Sequence, residues 1–167
     1  LRDAVNAGCT HAVIEMTSEG SKQHRHKFLE VDGLIFTNLT PEHIESHGSF
    51  ENYKQAKLDI ARAVVRSTKR PRYLAANADD DHGADFLNFP VEYKLPYSLS
   101  DLSLYTLHKD SISIVLGDTN IRIPLIGKFN VYNILAALTT AKALDISLDT
   151  IKKGLESLPV IAGRVEK

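Results

Sequence analysis

The chain contains no tryptophan, one cysteine and one methionine. A lone thiol excludes any internal disulfide, so the fold must hold by packing and hydrogen bonds. Cys9 lies between Gly8 and Thr10 ahead of an apolar run, and it is expected to be a small buried side chain rather than a reactive thiol. No apolar run approaches the roughly 20 residues that cross a bilayer, and no signal peptide or lipidation motif is visible. The expected location is the cytoplasm. Long runs of like charge are missing too, and the formal net charge is −1. A broad electrostatic attraction to nucleic acid or to an anionic membrane is thereby excluded. The sequence also lacks any G-x-x-x-x-G-K-[ST] run, the loop whose backbone cradles β and γ phosphates. Internal repeats, linkers and low-complexity segments are absent.

What is present is ordinary for a soluble globular protein: 43% hydrophobic and 25% charged residues over a length of 167, enough for one domain with a real core. Residue 1 is Leu rather than Met. Leu1 to Gly8 reads as the last turns of a helix closing on a C-cap glycine, so the chain is expected to be a fragment of a larger protein.

Short apolar runs at His11–Met16 and Gly33–Asn38 are continuous rather than alternating, which predicts buried parallel strands. Phe50 to Ser67 predicts a helix, with Phe50, Tyr53, Ala56, Lys57, Ile60, Ala61 and Val64 on one stripe. Ser49 is its expected N-cap, with Asn52 in place of the Glu or Gln of a full capping box. Pro71–Ala76 predicts a third strand and Asp79–Leu87 a short helix. From about 91 to 125 the pattern alternates, with polar turns at Lys109-Asp110 and Gly117-Asp118, which predicts an antiparallel meander with one wet face. Asn130–Leu144 and Leu148–Leu158 predict helices, and the chain closes in a loop around Gly163-Arg164. The fold class expected is α/β, a mostly parallel sheet flanked by helices plus the small meander.

Candidate chemistry collects where ligands bind in such folds, at the carboxyl ends of the strands. Glu15 closes the first expected strand, where it is either a Mg²⁺ ligand or a solvated end residue. The loop Thr37 to Gly48 is dense in polar groups. His43 and His47 stand four apart, a weak zinc signal because Gly48 breaks the helix and no third ligand is evident. Lys57 lies on an apolar stripe. Either it snorkels to the surface, or burial lowers its pKa so that the neutral amine takes up CO₂ and becomes a metal-binding carbamate. Asn77-Ala78-Asp79-Asp80 looks like a helix N-cap, and Asn130 looks like the cap of the helix after it. Arg164 is either an exposed charge or a phosphate clamp.

The order of these signals resembles one family. Glu15-Met16-Thr17-Ser18-Glu19-Gly20, Gln23-His24-Arg25, Phe36-Thr37-Asn38-Leu39-Thr40, His43, His47-Gly48 and Tyr53 to Lys57 occur in sequence. Asn77-Ala78-Asp79-Asp80, Gly127-Lys128-Phe129-Asn130 and Gly163-Arg164-Val165-Glu166 follow them. Together they resemble the MurE branch of the Mur ligases over essentially the whole chain. The resemblance implies an incomplete P-loop-type central domain over 1–167, without the amino-terminal UDP-binding domain and the carboxy-terminal domain. It implies an ATP-dependent ligase that joins an amino acid to UDP-N-acetylmuramoyl-peptide through an acyl phosphate, with Mg²⁺ and ATP as cofactors. By resemblance, Glu15 and His47 coordinate Mg²⁺, and Lys57 is the carbamylated lysine supporting a second Mg²⁺. Thr17, Ser18, Gln23 and Arg25 contact the UDP-sugar-peptide, and Asn77, Asn130 and Arg164 contact the nucleotide. The chain departs from the family at Glu19, where a His usually follows two serines, and at Glu42, where Asp is usual. With no phosphate loop it is expected to be inactive by itself. A folylpolyglutamate-synthase-like ligase and a non-catalytic binding module of the same fold are the alternatives. Gln23-His24-Arg25 and Thr37-Asn38-Leu39-Thr40 favour the MurE branch over the first.

Overall fold

The computed structural model describes residues 1–41 and 44–159. Its longest helix arises from the clearest apolar stripe. This helix, α4 (Phe50–Arg66), is 17 residues long, and Ser49 caps it by accepting the Asn52 N–H through its side chain. Tyr53, Ala56, Leu58, Ile60, Ala61 and Val64 are its buried residues. Lys57 is half-buried, so the expected lysine on the stripe sits at its margin.

Three strands, β1 (Gly33–Phe36), β2 (Tyr73–Asn77) and β3 (Tyr93–Tyr97), form a sheet in the order β1-β2-β3. Both pairings are parallel, with Phe36 opposite Ala76 and Ala76 opposite Pro96. Parallel neighbours need crossover connections. Helix α4 supplies the first and the short α5 (Gly83–Leu87) the second. Strand β2 is central and covered on both faces, which is why its apolar run is continuous. Leu74 and Ala76 pack with Phe36, Tyr53, Ala61 and Phe86. Ala75 turns the other way, into a cluster with Tyr97, Ile112 and Ile134.

A second sheet, β4 (Leu104–Leu107), β5 (Ile112–Leu116) and β6 (Thr119–Ile123), is antiparallel throughout. Ile112, Ile114, Ile121 and Ile123 are completely buried and pack against α6 (Lys128–Ala143) and α7 (Leu148–Glu156) through Val131, Leu135, Ile151 and Leu155. Their neighbours Ser113 and Arg122 take the opposite face, the alternation expected of a sheet with one wet side.

Four expectations are corrected. The meander begins at Leu104, not near 91, because Tyr93–Tyr97 joins the parallel sheet. As an edge strand β3 alternates in burial much as an antiparallel strand does, and an edge is also where Pro96 is tolerated. Residues 11–16 form no strand and are mostly exposed. Among the described residues no strand pairs with them, and Ile14 and Met16 instead line a small apolar cavity with Leu34, Ile60 and Val64. Cys9 is exposed, not buried. It lies just past α1 (Arg2–Asn6), where its N–H and that of Gly8 close the helix on the carbonyls of Ala4 and Val5, 2.9 and 3.0 Å away. Lastly, α5 starts at Gly83 rather than Asp79, and residues 78–82 form turns.

Candidate functional site

The carboxyl ends of the parallel strands are tied together by polar groups of the loops that follow them. Asn77, the last residue of β2 and 5% exposed, donates from Nδ2 to the Thr37 carbonyl at 3.1 Å and accepts the Asp79 N–H at 3.1 Å. This is an Asx turn and not the helix cap expected, since α5 has His82 at its cap position and no side-chain cap bond. Asp80 accepts the Leu39 N–H at 3.0 Å, and Asp79 accepts the Leu99 N–H at 2.9 Å. Tyr97 donates its hydroxyl to the Phe36 carbonyl at 2.8 Å. Burial, with Asp80 nearby, pushes that phenol well above its ordinary pKa. Burial and Asp79 likewise raise Tyr132 near the start of α6, so that helix faces the same edge.

Two short helices, α2 (Ser18–Lys22) and α3 (Ile44–His47), pack against α4. Thr17 caps α2 by accepting the Gly20 N–H at 3.0 Å. His47 is buried, with its Nε2 3.1 Å from Ser18 Oγ and 4.0 Å from Glu19 Oε2. Two further bonds hold it there: Asn52 donates to the His47 carbonyl at 2.9 Å, and Lys22 donates to the Ser46 carbonyl at 2.7 Å. The His47 ring lies 5.4 Å from that of Tyr53. Lys57 Nζ sits 5.3 Å above the Tyr53 ring and donates to the Asn38 carbonyl at 3.2 Å. Tyr53 therefore links the histidine to the lysine, and Asn38 links the lysine to the end of β1.

Of the residues singled out in the sequence, Ser18, His47 and Lys57 thus fall in one region, and Asn77 joins it through Thr37. Gln23 and Arg25 are exposed, and Gln23 donates to Glu19 Oε1 at 3.3 Å. Glu15 is exposed on the irregular segment before α2, not at a strand end. Asn130 is not the cap of α6, which follows Gly127. It lies inside the first turn and donates to the Ile126 carbonyl at 2.8 Å. His43 and Arg164, and with His43 the expected His43–His47 pair, lie outside the described residues.

Sequence reading passed over Glu19 except as a departure from a motif. Its Oε2 is enclosed and has no hydrogen-bond partner among the described residues. It faces His47 Nε2 at 4.0 Å, and the Glu19 side chain as a whole is 47% exposed. An imidazole nitrogen, a hydroxyl and a carboxylate meet there, at most a partial ligand set for a divalent cation. No group of three or more His, Cys, Asp or Glu converges among the described residues, which argues against a site built from protein ligands alone.

Residues 1–141 match the family description "Mur ligase middle domain". A UDP-N-acetylmuramoyl-L-alanyl-D-glutamate–2,6-diaminopimelate ligase of Halalkalibacterium halodurans is 33% identical over 98% of this chain and 35% of its own length. The corresponding L-lysine ligase of Staphylococcus aureus is 30% identical over 99% of this chain and 35% of its own. The chain therefore spans about a third of the length of these relatives. A solved diaminopimelate ligase superposes with a TM-score of 0.81 at 25% identity, covering 98% of this chain and 36% of that one. The MurF ligase of Thermotoga maritima, solved in complex with ADP, gives 0.65 at 21% identity over 89% of this chain and 35% of that one, a likeness of fold alone.

Proposed function

Because the chain belongs to the Mur ligase middle-domain family, we propose that it is the metal- and nucleotide-facing part of a longer ATP-dependent ligase. That ligase joins an amino acid to UDP-N-acetylmuramoyl-peptide in peptidoglycan precursor synthesis. The observation that carries the reading is the approach of His47 and Lys57 to one another through Tyr53 at the carboxyl end of β1. The UDP-binding and amino-acid-selecting domains, and the loop that cradles the β and γ phosphates, are placed outside these residues. This chain alone is accordingly expected not to turn over.

His47, with Glu15, would hold Mg²⁺, which when bound neutralises charge on phosphate oxygens. Ser18 and Asn52 orient His47 from its ring and its carbonyl. Lys57 donates to a backbone carbonyl just past the end of β1. Its uncharged amine would add to CO₂, forming an N–C bond and releasing a proton, and the cation would become an anion beside the metal. Thr17, Ser18, Gln23 and Arg25 lie on and around α2, where the sugar-peptide would bind. Asn77, Asn130 and Arg164 remain the proposed nucleotide contacts, with Asn77 acting also as the strut between β1 and β2.

The test is ligation by the full gene product. ATP-dependent phosphate release should require UDP-N-acetylmuramoyl-dipeptide together with diaminopimelate or L-lysine, and the two amino acids tested separately identify the one added. Lys57→Ala should lower turnover by about a hundredfold or more, and ¹³C-bicarbonate should label wild type but not this variant. Glutamate addition to a folate, with no activity on the muramoyl acceptor, would replace this reading with the folylpolyglutamate one. No ligation of either kind would leave the binding-module reading.

A further inference from the structure

We infer that His26 is an acid-released latch: uncharged, it pins the loop between α2 and β1 onto α4, and charged, it lets that loop go. His26 is the single buried residue between Ser21 and Phe36, at 8% exposed. It lines an apolar cavity of about 70 Å³ with Ile14, Met16, Leu34, Ile60, Ala63 and Val64. Its Nδ1 is enclosed and has no hydrogen-bond partner among the described residues. A neutral imidazole tolerates such a place far better than an imidazolium, whose charge and second N–H would both be unmatched. Burial accordingly lowers the His26 pKa from 6.5. Asp59 of α4 opposes that, but it is already paired with Arg62 at 2.6 Å. His24, Arg66 and Lys27 add to the lowering. Of the other carboxylates on these segments, Glu30 is bonded to Thr68, Asp32 is bonded to Lys69, and Glu15 is exposed. The loop also carries strain on both sides of the latch. His24 and Phe28 sit at φ 60° and 67°, a region that L side chains enter at a cost, and Phe28 is completely exposed. Freeing His26 therefore relaxes two residues as well as solvating a charge. The docked loop is unpenalised above pH 6.5 and loses stability as pH falls below it, because the released imidazole takes up a proton that the docked one resists. Gln23 and Arg25 ride on the same loop, so acid would also loosen the sugar-peptide contacts proposed above, a consequence that alone rests on the ligase reading.

The experiment is amide hydrogen exchange of the 167-residue chain at about pH 7.5 and about pH 5.5, corrected for intrinsic rates. The N–H groups of Arg25, Lys27 and Leu29, bonded to the carbonyls of Gly20, His24 and His26, report the loop. Those of Leu135 and Leu138 in α6 report the core. Loop protection should fall at the lower pH by about threefold to tenfold, tenfold being the limit set by a free imidazole of pKa 6.5, while core protection holds. His26→Leu removes the titrating group and keeps an apolar side chain in the cavity, so its loop protection should be equal at both pH values. His24→Asn suits the left-handed backbone and should retain the wild-type response. The His26 ring signal should titrate below 6.5 in wild type, and lower still in Asp59→Asn. A response that is missing from wild type, persists in His26→Leu, vanishes in His24→Asn or spreads equally to the core overturns the latch. So does a His26 ring that titrates at or above 6.5. The ring titration needs wild type alone, so it decides the matter even where His26→Leu fails to fold.

Discussion

Replacing Gly83 by alanine should destabilise this protein, although the change adds a better helix former. Gly83 opens α5, and in an unobstructed helix Gly→Ala gains roughly 0.5–1 kcal/mol. Here a Cβ would stand 2.0 Å from the Asn77 carbonyl oxygen and 3.0 Å from its carbon. Ordinary C···O contact is about 3.3 Å, so the turn must open by about 1.3 Å. Neither side can yield freely. Asn77 is held in the ladder opposite Tyr97 and by its bond to Thr37. α5 is held by Phe86, whose ring stacks on Phe36 at 3.9 Å. Overpacking of this kind costs about 1–3 kcal/mol. With a urea m-value of about 2 kcal/mol per M, the midpoint should fall by roughly 0.5–1.5 M. Gly154 is the matched contrast, since it lies exposed in α7 with nothing within 4 Å of an added Cβ. Gly154→Ala should raise the midpoint by about 0.3 M. A Gly83→Ala midpoint at or above wild type would refute the claim that the turn after β2 is sterically closed.

Arg72 is the dominant influence on Glu92, whose carboxylate it engages through its side chain and its backbone N–H, holding the pKa at about 2 against an ordinary 4.5. A depressed carboxylate stabilises the fold in full above its unfolded pKa and loses that contribution as pH falls through the folded one. Melting temperatures of wild type should therefore drop between about pH 4.5 and 2 more steeply than those of Glu92→Gln. The variant should keep a residual slope from Glu30, Asp85 and Asp110, whose carboxyls are also lowered by their bonds to Thr68, Lys54 and Ser111; equal slopes would rule out the Arg72 pairing. Tyr97→Phe removes the donor to the Phe36 carbonyl and should cost about 1–2 kcal/mol in urea unfolding. A change below about 0.3 kcal/mol would show that this bond does not hold the end of β1.

Local chemistry was legible where one residue's environment depends mainly on its neighbours in sequence. The stripe from Phe50 to Val64, the Ser49 cap and the alternation of Ile112, Ile114, Ile121 and Ile123 all follow from helical and strand periodicity, and each is found. The ordered motifs from Glu15 to Glu166 carried the family resemblance in the same way. Where partners come from distant segments, periodicity could not decide. Val13 and Ile14 look like a buried strand, but a strand needs a ladder, and among the described residues none reaches them. Tyr93–Tyr97 looks like a meander strand because an edge position alternates whichever way its neighbour runs. Asn77 and Asp80 look like caps, yet their side chains serve the loop after β1, about 40 residues earlier in the chain. Glu19 was only a deviation in a motif until folding set His47 Nε2 4.0 Å from its Oε2. The sequence by itself determined the long helices, the meander strands, the family and which residue types were available for chemistry, because those depend on spacing along the chain. Tertiary structure alone decided which strand joins which sheet, and that Ser18, Glu19, His47 and Lys57 gather beside α4, because those depend on contacts between segments that spacing does not encode.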